Sequence, residues 1–204
     1  MKKITAIIPV RKGSVRVKNK NLKPFADTNL LEIKIKQLKQ INFIDKIVVS
    51  SDCDKMLKIA VDYGVDTHKR DKYFASSKAD NSEYFHNLAE SIQGEYLMYS
   101  PVTCPLISKE TYFDCINTFQ NEDVENLITA APVKHHMWLD GKPLNQITYG
   151  VCIISRDNMI EYRNVVTDNP TFKILDEIES VDIDTEFDFM IAETIYKKLN
   201  GYTK

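Results

Sequence analysis

Two stretches carry residue types suited to holding a polyphosphate and a metal ion. The first is Ile4 to Phe25, ITAIIPVRKGSVRVKNKNLKPF, in which Arg11, Lys12, Arg16, Lys18, Lys20 and Lys23 follow a short apolar run. Gly13, Ser14, Asn19 and Asn21 lie among these cations; such residues accept tight turns and donate hydrogen bonds. The second is Asp182-Ile183-Asp184. Carboxylates two residues apart in an extended segment project from one face. A pair of hard oxygen ligands beside phosphate oxygens suits Mg²⁺. Each stretch alone has a plainer reading. A basic run also fits a solvated face or a nucleic-acid patch, and Asp184 could simply start a helix while Asp182 stays a surface charge. Together in one α/β domain they point to a nucleotide–metal site.

The elements that must position them alternate. Ile4 to Ile8 reads as a strand buried on both faces, closed by Pro9, which has no N–H for a ladder. Residues 29–40 carry Leu30, Leu31, Ile33, Ile35 and Leu38 at helical spacing. Ile47 to Val49 is the next strand, followed by a helix from Asp54 to Tyr63 that Gly64 stops. Val65 to Thr67 is a short strand, and Ser82 to Ile92 is a helix. Glu95 to Tyr99 is a strand, residues 108–119 a helix, and Asn126 to Val133 a strand. A polar, turn-like segment follows at 134–148. Gly150 to Ile154 then reads as a strand, Asp157 to Tyr162 as a turn of helix, and Val181 to Asp184 as a last short strand. Thr185 with Asp188 forms a capping-box pattern for a helix running to about Leu199.

This alternation predicts a three-layer, Rossmann-like α/β fold with a mostly parallel sheet, as one domain over residues 1–204. Ligands in such folds bind beyond the carboxyl ends of strands. The loops to watch are therefore 11–21, 50–54, 100–105 and 182–184.

Composition narrows the function. A formal charge of -2 and a pI of about 6.1 speak against a general nucleic-acid binder, and aromatics do not interleave with the cations as stacking platforms would. No apolar stretch reaches the length of a membrane span, and Pro9 and Arg11 cut the N-terminal run too short for a signal peptide. A cytoplasmic protein is expected. Cys53, Cys104, Cys115 and Cys152 show no metal-ligand spacing, which argues against a structural zinc site.

At motif level the chain resembles the acylneuraminate (CMP-sialic acid synthetase) family of cytidylyltransferases. IIPVRKGSVRVKNKNLKPF resembles its opening I-P-A-R-x-G-S-K, spacer, K-N, with Arg11, Gly13, Ser14, Lys20 and Asn21 on the motif. VVSSDCD resembles V-S-T-D. KRDKYFASSKADN resembles R-P-x-x-L-A, with Arg70 on the arginine and Asn81 where serine is usual. SPVTCPL resembles Q-P-T-S-P-L, YGVCII resembles N-G-A-I-Y-I, and VDIDTEFDF resembles I-D-I-D-T-x-x-D-F.

The resemblance implies that CTP binds over the first loop and that an acceptor hydroxyl attacks the α-phosphorus, releasing pyrophosphate. It places Arg11 and Lys20 on the triphosphate and Gly13, Ser14, Arg16 and Asn21 around phosphate or ribose. Arg70 and Asn81 would hold the cytosine end, and Asp182 and Asp184 would hold Mg²⁺, making Arg11, Lys20 and Asp184 the expected catalytic residues. A small acidic acceptor would meet Pro101, Thr103, Lys134 and Tyr149. Three departures stand out. Val15 occupies the motif lysine position, with Arg16 beside it; Pro101 and Val102 replace Gln-Pro; and Tyr149 replaces the asparagine before Gly150. The segment 134–148 is short where the family carries an extended dimerisation insertion, which leaves a homodimer with a smaller interface open. A different nucleotide base, or a nucleotide-binding relative without turnover, are the alternative readings.

Overall fold

A computed structural model describes residues 1–121, 123–133, 137–139 and 142–202. The chain begins with strand β1 (Ile4–Pro9), then the basic loop, then a minimal hairpin of β2 (Pro24–Phe25) and β3 (Thr28–Asn29). Helix α1 (Leu30–Lys39), β4 (Ile44–Ser51), α2 (Asp54–Asp62), β5 (Asp66–Lys69), α3 (Asn81–Ser91), β6 (Tyr96–Tyr99), α4 (Lys109–Phe119) and β7 (Asn126–Pro132) alternate after it. A second small hairpin, β8 (Trp138–Leu139) with β9 (Lys142–Pro143), precedes the long β10 (Asn145–Ser155). Helix α5 (Arg156–Tyr162), β11 (Thr171–Ile174) and α6 (Glu186–Leu199) complete the order.

Seven strands form one sheet in the order β11-β7-β10-β6-β1-β4-β5. Only β10 runs antiparallel to its neighbours β6 and β7 in this sheet; the other pairings are parallel. β1 sits inside the sheet, so its pleat feeds two cores. Ile4, Ala6 and Ile8 pack with residues of α1, α2, α4 and α6, while Ile7 packs with Phe85, Leu88, Ala89 and Met159 of α3 and α5. This gives the expected three layers with a mostly parallel sheet.

Local signals account for most boundaries. Gly64 ends α2 at φ +68°, the left-handed region that favours glycine. Thr185 caps α6, and both halves of its box with Asp188 are formed. α3 carries a second box, Asp80 with Glu83, which moves its start one residue ahead of the apolar pattern.

Two expectations need correction, and one strand went unpredicted. Residues 181–184 form no strand; Ile183 is fully buried and donates its N–H to the Thr103 carbonyl at 2.9 Å, an isolated tie rather than a ladder. The segment 134–148 is not merely turn-like, because it contains β8, β9 and the start of β10, which begins five residues before Gly150. β11 was not legible from periodicity: it is an edge strand whose Phe172 and Ile174 stay exposed, and it is defined by its pairing with β7.

Because β1, β4 and β6 are parallel, their carboxyl ends open on one edge of the sheet. The basic loop, Asp52 and the 100–105 loop meet there. β10 arrives from the opposite direction, with Cys152 opposite Tyr99, so Thr148 and Tyr149 reach the same edge.

Candidate nucleotide and acceptor site

The basic loop is shaped by its backbone. Gly13 turns at φ +91° and Asn19 at φ +55°, and Lys23 and Leu22 both donate to the Asn19 carbonyl at 2.9 Å. Asp52, at the end of β4, accepts the Lys12 N–H at 2.9 Å. Asn21 is buried and donates to the Arg11 carbonyl at 3.0 Å. It therefore fixes the loop from inside.

The far end of the loop is anchored on α6. Phe25 is fully buried, edge-on to Phe189 at 5.3 Å and to Tyr196 at 5.4 Å. Glu193 accepts the Ala26 N–H at 2.9 Å, and Lys23 pairs with Glu186. Since α6 begins directly after Asp184, this docking carries the aspartate motif to the basic loop. Lys20 Nζ then donates to the Ile183 carbonyl at 2.5 Å, and the Arg16 guanidinium meets Asp184 at 2.8 Å. Two motifs more than 160 residues apart in sequence thus share one cleft.

That cleft has a volume of about 510 Å³. Arg11, Ser14, Arg16 and Lys20 line one wall with Asn21. Arg70, Phe74 and Asn81 line another, and Pro101, Thr103 and Asp184 close it. A second cleft of about 240 Å³ adjoins it, sharing Asn81, Tyr84, Tyr99, Pro101 and Thr103, and adding Thr148, Tyr149 and Asp182. The expected site residues therefore gather in two connected clefts, with Asp184 in the larger and Asp182 in the smaller. Gly13 shapes the loop without lining either cleft, and Lys134 lies outside the described residues.

Electrostatics set the working states. Lys20 loses solvent on burial, which lowers its pKa, against the raising pull of Asp182 and Asp184. Asp182 is pushed up, first by desolvation and then by Asp184, while a hydrogen bond from Thr103 and the charge of Lys20 oppose the rise. Asp182 retains an exposed surface, so the desolvation comes from protein crowding round the carboxyl rather than from full burial. Two neighbouring carboxylates beside a cationic loop fit a hard divalent cation, which completes its shell with phosphate oxygens and water. No cluster of three metal-ligating side chains occurs among the described residues.

Arg70 is nearly inaccessible. It donates to the Val10 carbonyl at 2.6 Å and to the Tyr84 hydroxyl at 3.4 Å, and its buried Nε has no partner among the described residues. Its guanidinium braces the start of the basic loop. Arg11 reaches the Ala75 carbonyl at 3.0 Å and so ties the loop to the 70–81 segment. Val15 is 89% exposed. The side chain at the motif lysine position contributes no charge, and Arg16 beside it is engaged with Asp184.

Tyr84 and Tyr99, which sequence reasoning did not select, form the partition between the clefts. Burial raises both phenols, so both remain protonated hydrogen-bonding groups. Their signal was only a tyrosine at the end of β6 and another on the first turn of α3. Tyr149 sits at φ +56°, within an irregularity of the β7–β10 pairing. A left-handed position suits asparagine better than tyrosine, which explains the family's asparagine there. A Cβ on Gly150 would meet Ile107 Cδ1 at 2.5 Å, so a larger residue there would have to push the tip of the Ile107 side chain aside.

Comparison with known proteins agrees with this architecture. The cytidylyltransferase family profile matches residues 5–170. The chain is 28% identical to post-translational flagellin modification protein B of Campylobacter coli, over 100% of this chain and 99% of that protein. It is 25% identical to the N-acylneuraminate cytidylyltransferase of Escherichia coli, covering 97% of this chain and 53% of that enzyme, so it spans about half the length of that relative. Among solved structures, a CMP:2-keto-3-deoxy-manno-octonic acid synthetase complexed with CTP superposes with a TM-score of 0.76 at 9% identity, covering 96% of this chain and 99% of that one, a likeness of fold. With the motifs, the fold and the profile in agreement, the chain belongs to the cytidylyltransferase family.

Proposed function

We propose that this protein transfers CMP from CTP to a small acidic sugar of the nonulosonate type, releasing pyrophosphate. The observation that carries this reading is the Arg16–Asp184 contact at 2.8 Å, which sets the basic loop and the aspartate motif on opposite sides of one cleft. CTP lies over the loop, its distal phosphates toward Arg11 and Lys20, with Ser14 and the loop N–H groups donating to phosphate or ribose. Arg70 and Asn81 stand on the opposite wall, at the cytosine end. The acceptor occupies the smaller cleft between Tyr99, Thr103 and Tyr149.

In the reaction, the acceptor hydroxyl oxygen forms a bond to the α-phosphorus as the α–β phosphoanhydride breaks. Pyrophosphate carries off the electron pair, and the hydroxyl proton is released. The chain's contribution is orientation and fixed positive charge, the terms that dominate phosphoryl-type transfer. Mg²⁺, when bound by Asp182 and Asp184, supplies further neutralisation of the phosphate charge. The two clefts meet at Tyr84 and Tyr99, which supports a reading in which the attacking oxygen and the α-phosphate face each other across that boundary.

The acceptor end offers no side-chain amide at Pro101 or Val102, and it offers the Tyr149 phenol. A pocket rejects ligands that leave its polar groups unpaired. An acceptor smaller or less hydroxylated than N-acetylneuraminate fits this lining. The chain acts as one domain, in the cytoplasm, with neither nucleic acid nor membrane as partner. A homodimer would form through an interface reduced by the short 134–148 segment. Among the described residues no helix is long and apolar enough to cross a membrane.

The test is a pyrophosphate-release screen with each NTP against a panel of ulosonic acids and small phosphorylated acceptors. Preference for CTP, with another acidic acceptor exceeding N-acetylneuraminate by about tenfold, the effect of one good hydrogen bond, supports the reading. Preference for N-acetylneuraminate refutes the acceptor assignment. Val15 favours a second reading, a nucleotide-binding relative without turnover; CTP binding with no release for any acceptor would establish it.

A further inference from the structure

The loop that floors the acceptor cleft is held from behind by a buried lysine. Lys34 lies in α1 one turn from both Leu30 and Leu38, and none of its surface reaches solvent. Its ammonium donates to the Cys104 carbonyl at 2.9 Å and to the Tyr112 hydroxyl at 2.6 Å. The Tyr112 hydroxyl in turn meets Ser100 Oγ at 2.8 Å. One ammonium therefore ties both ends of the 100–105 loop, Cys104 directly and Ser100 through Tyr112. Between these ties, the Thr103 carbonyl accepts the Ile183 N–H at 2.9 Å, so the same loop supports the aspartate motif.

The surroundings of Lys34 are neutral. The groups facing it are the Cys104 carbonyl and thiol from the loop, Tyr112 from α4 and, one bond further, Ser100 at the end of β6. Cys115 and Glu179 act on Tyr112 rather than on the ammonium. The ion pairs found among the described residues do not include Lys34. A buried charge without a counter-charge is costly, and an apolar chain of equal length would fill the space. What only the ammonium provides is direction, through two strong charge-assisted hydrogen bonds to neutral acceptors.

We propose that Lys34 is a positioning residue for the acceptor end of the site, fixing the 100–105 loop and, through the Thr103–Ile183 bond, the carboxylate segment. The inference rests on the cytidylyl-transfer reading for its kinetic consequence but not for its structural one. Burial lowers the Lys34 pKa to about 8, so the charge that strengthens both bonds is lost, and the clamp weakens, as pH rises through that value.

The experiment compares wild type, Lys34→Met and Tyr112→Phe. It measures CTP binding by calorimetry, pyrophosphate release with N-acetylneuraminate as acceptor probe, melting temperature, and amide hydrogen exchange over residues 100–105 and 183. For Lys34→Met, the expected result is unchanged CTP affinity, an undiminished melting temperature, and an acceptor kcat/KM lowered about tenfold or more. Exchange at the loop and at Ile183 should be faster, and the decline in kcat/KM above about pH 8 expected of wild type should be absent. Tyr112→Phe, which keeps the ring, removes the hydroxyl that joins Lys34 to Ser100 and leaves the Cys104 tie, should shift the same readouts by less. Unchanged loop exchange and unchanged acceptor kcat/KM in Lys34→Met would overturn the proposal, as would equal losses for CTP and acceptor with a lowered melting temperature. Should Lys34→Met fail to fold, Tyr112→Phe decides by the same criteria. A wild type that uses no acceptor refutes the transfer reading, and the exchange data then judge the positioning role alone.

Discussion

The two ends of the site are built on opposite principles. At the phosphate end the charges are half-exposed: Arg16 and Asp184 keep 67% and 46% of their side-chain surface. The loop that carries Arg16 is pinned by backbone bonds, by Asp52 and by the burial of Phe25 against α6. At the acceptor end one charge is hidden: Lys34 sits wholly in the core, and beside Asp182 what reaches the cleft is Thr103, Tyr149 and two tyrosine rings. On the proposed reading, the phosphate end spends its charge on a ligand whose own charge is multiple. The acceptor end uses the Lys34 charge to hold a loop, keeps Asp182 for the cation and leaves recognition of the acceptor to shape and hydroxyls. Substrate differences within such a fold are expected to arise at the second end, because a few neutral side chains can change there without disturbing the phosphate machinery.

Several substitutions would break or sharpen this contrast. Phe25→Ala removes the ring that docks the basic loop on α6 and should cost about 3–5 kcal/mol in urea unfolding. A loss below about 1 kcal/mol would show that the hairpin is not the anchor. Asp184→Asn should lower kcat by about a hundredfold or more, on the order of losing one transition-state electrostatic group. Its melting temperature should hardly move, because an exposed ion pair contributes little to stability. Near-normal turnover would remove Asp184 from the mechanism.

The buried lysine makes a pH prediction with a definite sign. Its folded pKa, about 8, lies below the ordinary 10.5, so between those values the unfolded chain binds the extra proton. The penalty for the buried ammonium is fully present below pH 8 and is relieved as pH rises toward 10.5. The stability of wild type should therefore gain on that of Lys34→Met by on the order of 3 kcal/mol across that window, read from denaturation midpoints at each pH. A difference that stays constant would mean that Lys34 does not titrate there.

Arg11→Ala should weaken CTP binding by about tenfold or more, the range of one charge-assisted hydrogen bond, and CMP binding by less. Equal losses would move Arg11 to the α-phosphate or the base. The smallest effect is expected at Tyr149→Asn, which should stabilise the fold by about 1 kcal/mol by relieving the left-handed backbone at φ +56°. Unchanged stability would mean that contacts of the phenol offset the strain.

Much of this molecule could be read from local pattern. β1 is an apolar run ended by proline, α2 stops at a glycine, and the cap of α6 is a box within four residues. Each rests on interactions between near neighbours, so residue order alone determines it. The phosphate loop was legible for the same reason, since turn-forming and cationic residues lie together in one stretch. Tertiary structure decided the rest. Lys34 stands at the spacing of Leu30 and Leu38, yet whether a lysine there is buried depends on the Cys104 carbonyl and Tyr112, which lie 70 and 78 residues away. Residues 181–184 alternate like a strand but have one tie where a strand needs a ladder, and β11 exists because β7 offers it a partner edge. The left-handed turn at Tyr149 is likewise imposed by the mismatch between β10 and β7. Local propensities are settled by energies within a few residues. Burial of a charge, membership in a sheet and backbone strain are settled by partners that only the folded chain brings into contact.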